Sequence, residues 1–458
     1  MTHSHPARVE LQQFLNDAPI SRFQWGIFIL CFLVALIDGY DTAAIGYIGP
    51  SLLAEWNIEK AALAPAMSAG LFGIALGAIF FGPVADRFGR KNVLLISVLI
   101  FAIGTIISAY STTLQFLEIM RFITGIGLGA AMPNAVTLFS EYCPSKRRFF
   151  LVNTMFCGFP VGVALGGFLA SYLTPKFGWQ SILFVGGIAP LFLLVLMLKK
   201  LPESARYLLH QTKNDQNNQN REEIQVKIQA TIQRIMTQIA PLVTPCEFYL
   251  DEPKKSSAKQ GIATILSKHY IIGSILLWIT YFMGLMIFYG VINWMPILFS
   301  DLNLSAGTAK IVTALFAVGG LGAIANGWLM DRYNPALLIM ACTFLTALSV
   351  GLIGYSIRLE LAFLVGITLF SGLVMNTAQS SLPSFAANFY PTEGRTTGVS
   401  WMLGIGRFGG IAGSYLVAAL TSRNLCLLDI FLILALPALI GTIAMLIIYF
   451  RYYHKPLS

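Results

Sequence analysis

Four ionisable side chains stand where apolar runs leave them little water. Asp38 and Asp41 occur as IDGYD inside the run from Ile27 to Ile48, and Arg121 and Arg407 fall inside two later runs. A carboxylate in the core of a bilayer costs at least about 2.5 kcal/mol, so two of them three residues apart need a polar cavity or a cation to face. On a helix that spacing puts both on one side, separated by about 4.5 Å along the axis. Gly39 between them keeps a second reading open, a helix-packing site that the acids cap or bridge. The two arginines count as the only basic side chains inside the runs, and each is costly to desolvate unless an acid or a ligand meets it. Their planar fork matches both oxygens of a carboxylate. Glu118, one turn before Arg121, offers it a same-helix partner. Arg407 has no acid nearby in its run, and Gly404, Gly406, Gly409 and Gly410 leave room beside it for a ligand.

Together these groups suit the binding of an anion coupled to the movement of a proton. Burial favours a neutral carboxyl and a neighbouring arginine favours an ionised one, so a site that alternates between wet and dry can load and release a proton. Asp38, nearer the middle of its run, is the first choice for that proton, and Asp41 for orienting a partner or gating; the reverse assignment stays open. Tyr281, Tyr289, Asn293 and Trp294 put polar tips into another apolar run and are candidates to line a cavity with ring surface. Trp401 and Phe408 flank Arg407. Asn376 and Gln379 either offer hydrogen bonds to a ring hydroxyl or link helices to one another.

The elements that position these residues follow from composition. Of 458 residues 56% are hydrophobic and only 11% charged, against about 25% charged in soluble domains. Uninterrupted apolar runs of at least about 18 residues signal membrane-crossing helices. Twelve such spans are predicted: 24–48, 61–84, 92–110, 114–140, 149–172, 179–199, 270–299, 306–330, 336–356, 360–389, 397–421 and 426–450. Because the runs are continuous rather than alternating, a β-barrel is excluded. The first 23 residues carry no short apolar core with a cleavage site, so no signal peptide is expected.

With that terminus placed in the cytoplasm, Arg8, Arg22, Arg87, Arg90, Lys91, Lys146, Arg147, Arg148, Arg332, Arg395, Arg451 and Lys455 fall on one side. Lys60, Lys176, Lys310, Arg358 and Arg423 are counted with the opposite loops. A bias of roughly twelve to five puts both termini in the cytoplasm. The net charge of +9 then reflects topology and implies no nucleic acid. The six cysteines are scattered without a CxxC pair, and the five histidines lie in or beside the cytoplasmic segments. Neither a disulfide framework, a metal site nor a histidine proton relay is expected. Without a phosphate-cradling glycine loop, ATP-driven pumping and dinucleotide chemistry are not expected, and no cofactor is implied.

Apolar periodicity stops between Leu201 and Lys268, where Ile224, Ile228, Ile232, Ile235 and Ile239 predict an amphipathic helix. The expected organisation is a cytoplasmic segment 1–23, a six-helix bundle 24–200, a central loop 201–268, a second six-helix bundle 269–451 and a tail 452–458. The halves echo one another at an offset of about 245 to 247 residues: GPVADRFGRK from Gly82 against GWLMDRYN from Gly327, and Pro144, Arg148, Gly162 and Gly166 against Pro391, Arg395, Gly409 and Gly413. In transporters, repeats of this kind place the substrate at the interface of the halves, near mid-membrane.

GPVADRFGRK resembles the loop signature of the major facilitator superfamily, and Arg121, Gly125, Gly127 and Gly129 follow its fourth-helix pattern RxxxGxGxG. IDGYD, the preceding NDAPISRFQW and the later YGVINWMPILF resemble, more narrowly, the aromatic acid and proton symporter family. The resemblance implies an all-α membrane fold of twelve helices in two pseudo-symmetric bundles. It also implies import of an aromatic carboxylate with a proton across the bacterial inner membrane, by a monomer that is not an enzyme. It gives weight to Arg121, Glu141, Arg395 and Arg407. A conformational latch is expected from Gly82, Asp86, Arg87 and Arg90, with Glu141, Arg148 and Arg395 as partners and Asp331 and Arg332 as their counterparts in the second half. Three other readings stay open: a proton-coupled exporter, for which GFPVGVALGG is an incomplete export signature, an importer of a non-aromatic acid such as muconate, and a non-transporting sensor.

Overall fold

A computed structural model of the chain describes residues 7–17, 19–144, 147–214, 246–249, 258–300, 304–322, 329–330, 332–356 and 359–453. Helices dominate, because in lipid a backbone N–H or C=O without a partner costs several kcal/mol and a helix satisfies its own. β1 (Ala7–Glu10) and α1 (Leu11–Asp17) precede α2 (Arg22–Trp56), α3 (Leu63–Phe88), α4 (Arg90–Ser108), α5 (Leu114–Glu141), α6 (Arg148–Phe156), α7 (Gly158–Phe177) and α8 (Gln180–Lys200). The central loop contributes α9 (Ala205–Asn214), β2 (Cys246–Tyr249) and α10 (Ala258–Ile265). Then come α11 (Ile271–Ser300), α12 (Ala306–Val318), α13 (Pro335–Ser356), α14 (Leu361–Phe389), α15 (Thr392–Ser422) and α16 (Leu427–Ile448).

Eleven helical stretches among the described residues are long and apolar enough to cross a membrane, and Ala306–Gly322 adds a shorter apolar one. The eighth expected span, 306–330, therefore begins as predicted, but most of its remainder lies outside the described residues. The fifth is assembled from two helices, α6 and α7, which abut at Cys157. The predicted amphipathic helix of the central loop also lies outside the described residues. Sequence reading missed the parallel pairing of β1 with β2, in which Ala7 stands opposite Cys246 and Glu10 opposite Tyr249. Four-residue strands are too short for a periodicity to betray them.

The entry of α2 is set by a reciprocal cap. Ser21 N–H donates to Gln24 Oε1 at 2.8 Å, and Gln24 N–H donates to Ser21 Oγ at 3.2 Å. Gln24 Nε2 also donates to the carbonyl of Tyr142 at 2.7 Å, fixing the start of α2 against the end of α5. The helix then runs 35 residues, about 52 Å at the usual rise, well beyond the ~30 Å apolar thickness of a bilayer. It stops at Asn57, whose left-handed backbone (φ 48°) ends the helical ladder.

Helices α2 to α8 form one bundle and α11 to α16 the other. The glycines of the RxxxGxGxG pattern have a packing reason: Gly125 and Gly129 lie on the backbone of α3 at Gly70 and Ile74, while Gly127 faces Ser97 on α4. Small residues let helices meet backbone to backbone, where dispersion takes the place of a hydrophobic driving force. The repeat is visible in the same terms. Gly162 on α7 rests on the carbonyl of Leu36 on α2, and Gly409 on α15 rests on that of Phe282 on α11, matching positions at the offset seen in the sequence.

Contacts between the bundles gather in the middle of the molecule and toward the end away from the termini. A Cβ on Gly46 of α2 would stand 2.8 Å from the backbone of Asn293 on α11, and one on Gly167 of α7 would stand 2.6 Å from Ala314 on α12. Gly410 of α15 packs near Leu71 of α3. At the opposite end the termini and the central loop come together: Gln12 Nε2 donates to the carbonyl of Cys143 at 3.3 Å, and Tyr452 donates to that of His269 at 2.7 Å.

Candidate functional site

The two acids of IDGYD have different partners. Asp41 is fully enclosed, and its Oδ1 accepts from Arg121 Nη1 at 3.0 Å and from Thr105 Oγ1 at 3.1 Å. Arg121 Nη2 donates to the backbone carbonyl of the same aspartate at 2.9 Å. One guanidinium thus grips both side chain and backbone of Asp41 and ties α2 to α5, with α4 joined through Thr105. Charge-assisted bonds of this kind are about twice as strong as neutral ones, which offsets the burial of both charges. Asp41 Oδ2 and Arg121 Nε make no hydrogen bond among the described residues, so the pair keeps one acceptor and one donor in reserve. Arg121 therefore reaches across to α2 rather than along its own helix to Glu118, which is only partly buried.

Asp38, one turn toward the start of α2, looks the other way. It is 8% exposed and accepts a long contact from Thr42 Oγ1 at 3.5 Å. It lies within electrostatic reach of Arg407 on α15 and Tyr289 on α11, both in the other bundle. Arg407 Nη1 contacts the Tyr289 hydroxyl at 3.5 Å, the outer limit of a hydrogen bond. Tyr281, one helix face from Tyr289, also feels the Arg407 charge, and its carbonyl accepts from Gln379 Nε2 at 3.3 Å. Compared with the Arg121 grip, Arg407 is held loosely. A cation so placed can turn to a carboxylate without first breaking a short ion pair.

The remaining candidates divide between this central group and the helix contacts. Asn293 and Trp294 are enclosed where α11 meets α2, so in this conformation they seal the bundle interface instead of lining an open cavity. Asn376 Nδ2 donates to the carbonyl of Gly372 in its own helix at 2.8 Å and approaches that of Phe316 on α12 at 3.5 Å, an interhelical link. Trp401 lies against Trp278 with ring centroids 5.6 Å apart and stays partly exposed, as does Phe408.

Among the latch candidates, Arg90 pairs with Glu141 at 3.1 Å, and Glu141 also accepts from Ser204. Arg148 donates to Gln12 Oε1 at 2.8 Å, an oxygen it shares with Arg206 at 2.7 Å. The carbonyl of Arg87 accepts from Tyr207 at 2.9 Å. The Arg90–Glu141 pair joins two of the expected latch residues, and these bonds together tie the first bundle to its own linker helix and to α1. Burial together with the neighbouring Arg206 charge holds the Arg148 guanidinium below its ordinary value. Arg332 and Arg395 are exposed. The surroundings of Gly82, Asp86 and Asp331 lie outside the described residues.

Sequence reasoning missed Thr105, Gln12 and Ser204, hydroxyl and amide groups whose roles arise only from long-range contact. It also misplaced Lys310. Counted with the loop cations, Lys310 is in fact 2% exposed inside α12, so Arg121 and Arg407 are not the only basic side chains within the spans. Its position one turn into an apolar run was the available signal.

The chain matches the model of the Major Facilitator Superfamily over residues 31–414 and again over 277–457. It is 44% identical over 443 residues to a protein of Pseudomonas aeruginosa named 4-hydroxybenzoate transporter PcaK, covering 96% of each chain. A Pseudomonas putida protein named gallate transporter is 42% identical over 448 residues, covering 96% of this chain and 95% of that one. Among solved structures, the inward open conformation of the xylose transporter XylE from E. coli superposes with a TM-score of 0.70 at 18% identity. It covers 95% of this chain and 98% of that one. That likeness supports the fold, and the family match, running through both bundles and every candidate above, supports the lineage. The chain belongs to the Major Facilitator Superfamily, whose members are transporters and not enzymes.

Proposed function

We propose that the protein imports an aromatic carboxylate, of the benzoate, hydroxybenzoate or protocatechuate type, together with a proton, by alternating access. The observation that carries this reading is the division of labour between the two acids. Asp41 is locked to Arg121 within one bundle, while Asp38 faces Arg407 and Tyr289 of the other. Supporting it, relatives that align over nearly the whole chain are named as transporters of 4-hydroxybenzoate, gallate and benzoate.

An aromatic carboxylate needs a cation for its charge and ring surface for its body. Arg407 supplies the first, and Tyr281, Tyr289 and Phe288 the second, with Phe288 and Tyr289 edge to face at 5.2 Å. A proton taken up by Asp38 removes the acid that competes for Arg407, which then holds the substrate anion. The loaded site is neutral and can close. Opening toward the other side rehydrates Asp38, the proton leaves, and the recharged acid displaces the substrate from Arg407. With both termini in the cytoplasm of the inner membrane, the bundle contacts near Gly46 and Gly167 shut the outer side, which is the inward-facing stage of that cycle. The cluster of Arg90, Glu141, Arg148 and Gln12 then organises the inner rim of the first bundle, and each monomer carries a whole site.

Uptake of a labelled panel of aromatic and ring-opened acids into proteoliposomes, with and without an inward pH gradient, tests this. Gradient-dependent accumulation of at least one aromatic acid, lost in Arg407→Ala, is the expected result. Accumulation indifferent to the gradient, or export down it, would sink the reading.

A further inference from the structure

Lys310 is a buried lysine inside the spans that the transport cycle leaves unused. It is 2% exposed on α12, and its Nζ donates to the carbonyl of Ala170 on α7 at 3.4 Å, across the line where the bundles meet. Among the described residues no carboxylate stands within ion-pair distance of it, and no charged group accounts for its burial. An ammonium carries three donors, and one long bond to a carbonyl falls far short of replacing its water. Small residues meet beside it: Gly307 faces Ser171, and Gly167 faces Ala314, with the Tyr47 ring of α2 against Gly167 as well. When these part, the ammonium emerges between the bundles at the end away from the termini.

We propose that Lys310 forms a second, peripheral site for a carboxylate, assembled when α12 separates from α7 and dismantled when they close. The open mouth then presents a cation to an approaching anion before the anion reaches Arg407. Closure returns the ammonium to the Ala170 carbonyl, a poor acceptor by comparison, so a bound carboxylate resists closure until it moves inward to the deeper arginine. A lysine suits this role better than an arginine, since a compact, strongly hydrated charge on a flexible stem releases an anion readily. The inference rests on the import reading for the chemistry of the ligand, but the two fail separately. Absence of any aromatic carboxylate transport sinks the import reading, whereas normal transport with an inert Lys310 sinks only this one.

The test holds the far end open and asks whether Lys310 then contributes to binding. Gly46→Trp wedges α2 from α11, because even a Cβ there would stand 2.8 Å from the Asn293 backbone. In the full chain carrying this wedge, adding Lys310→Gln is expected to raise the Kd for 4-hydroxybenzoate about tenfold and to flatten its rise with ionic strength, with Lys310→Arg staying within about threefold. Without the wedge, the Kd should change less than about twofold. An unchanged Kd in the wedged chain overturns the proposal, as does an equal loss with Lys310→Arg, which would mark a packing role. Should the wedged chain fail to insert, salt dependence of uptake decides: the apparent KM should climb with ionic strength in the unaltered protein and climb less in Lys310→Gln. Equal slopes overturn it.

Discussion

The guanidinium of Arg121 holds Asp41 twice, through its carboxylate at 3.0 Å and through its backbone carbonyl at 2.9 Å. A side chain that grips both parts of one residue fixes the helix that carries it as well as neutralising its charge. The contact therefore belongs to the architecture of the first bundle as much as to the site, and each of its partners should be sensitive in its own way.

Removing one member of this pair leaves the other charge buried and alone, which costs about 3–5 kcal/mol. Asp41→Asn and Arg121→Gln should each lower the thermal midpoint of the detergent-purified protein by several degrees. The double variant should lose clearly less than the sum of the two. Strict additivity in that cycle would show that the pair contributes nothing as a pair.

Asp38 should separate coupling from binding. Asp38→Asn, a neutral isostere, is expected to keep exchange of labelled for unlabelled substrate across the membrane while abolishing accumulation driven by a pH gradient. Gradient-driven uptake that survives in both Asp38→Asn and Asp41→Asn would remove the acids from the proton pathway altogether.

Arg407 is expected to dominate affinity. A hydrogen bond to a charged group contributes about 1.5–3 kcal/mol, so Arg407→Ala should weaken carboxylate binding about 10- to 100-fold. Tyr289→Phe, which removes only a 3.5 Å contact, should cost less than about threefold. Titration by tryptophan fluorescence or calorimetry gives both numbers. A larger loss in Tyr289→Phe than in Arg407→Ala would place the carboxylate elsewhere.

Gly125 tests the packing account. With α3 backbone directly against it at Gly70, Gly125→Val has no side chain to push aside and must separate the two helices. Overpacking of this kind costs about 1–3 kcal/mol or more, seen as a reduced yield of folded protein and a lower thermal midpoint. Gly404, which has nothing within 4 Å of its Cβ position, should accept alanine with little change.

Much of this protein could be read along the chain. Apolar runs long enough to cross a membrane fold as helices because lipid leaves the backbone no other partner, and that rule needs only local sequence. The offset between the halves foretold that Gly162 and Gly409 would play matching parts, as their seats on Leu36 and Phe282 bear out. The rarity of charge in those runs was enough to single out Asp38, Asp41, Arg121 and Arg407.

What the chain could not announce was who meets whom. Asp38 and Asp41 are nearly in line on one helix, yet a rotation of about 60° between them suffices to send one toward Arg121 and Thr105 and the other toward Arg407 and Tyr289. Arg121 passes over Glu118 for an acid 80 positions away, because helix packing sets the Asp41 carboxylate 3.0 Å from its guanidinium. Arg90 finds Glu141 in its own bundle and Ser204 at the start of the linker, and Lys310 leaves the loops for the seam between bundles. The sequence by itself determined which segments cross the membrane and which charges are expensive there. Tertiary structure decided how each charge is compensated, since compensation depends on distance in space, and spacing along the chain constrains that only within a turn or two of helix.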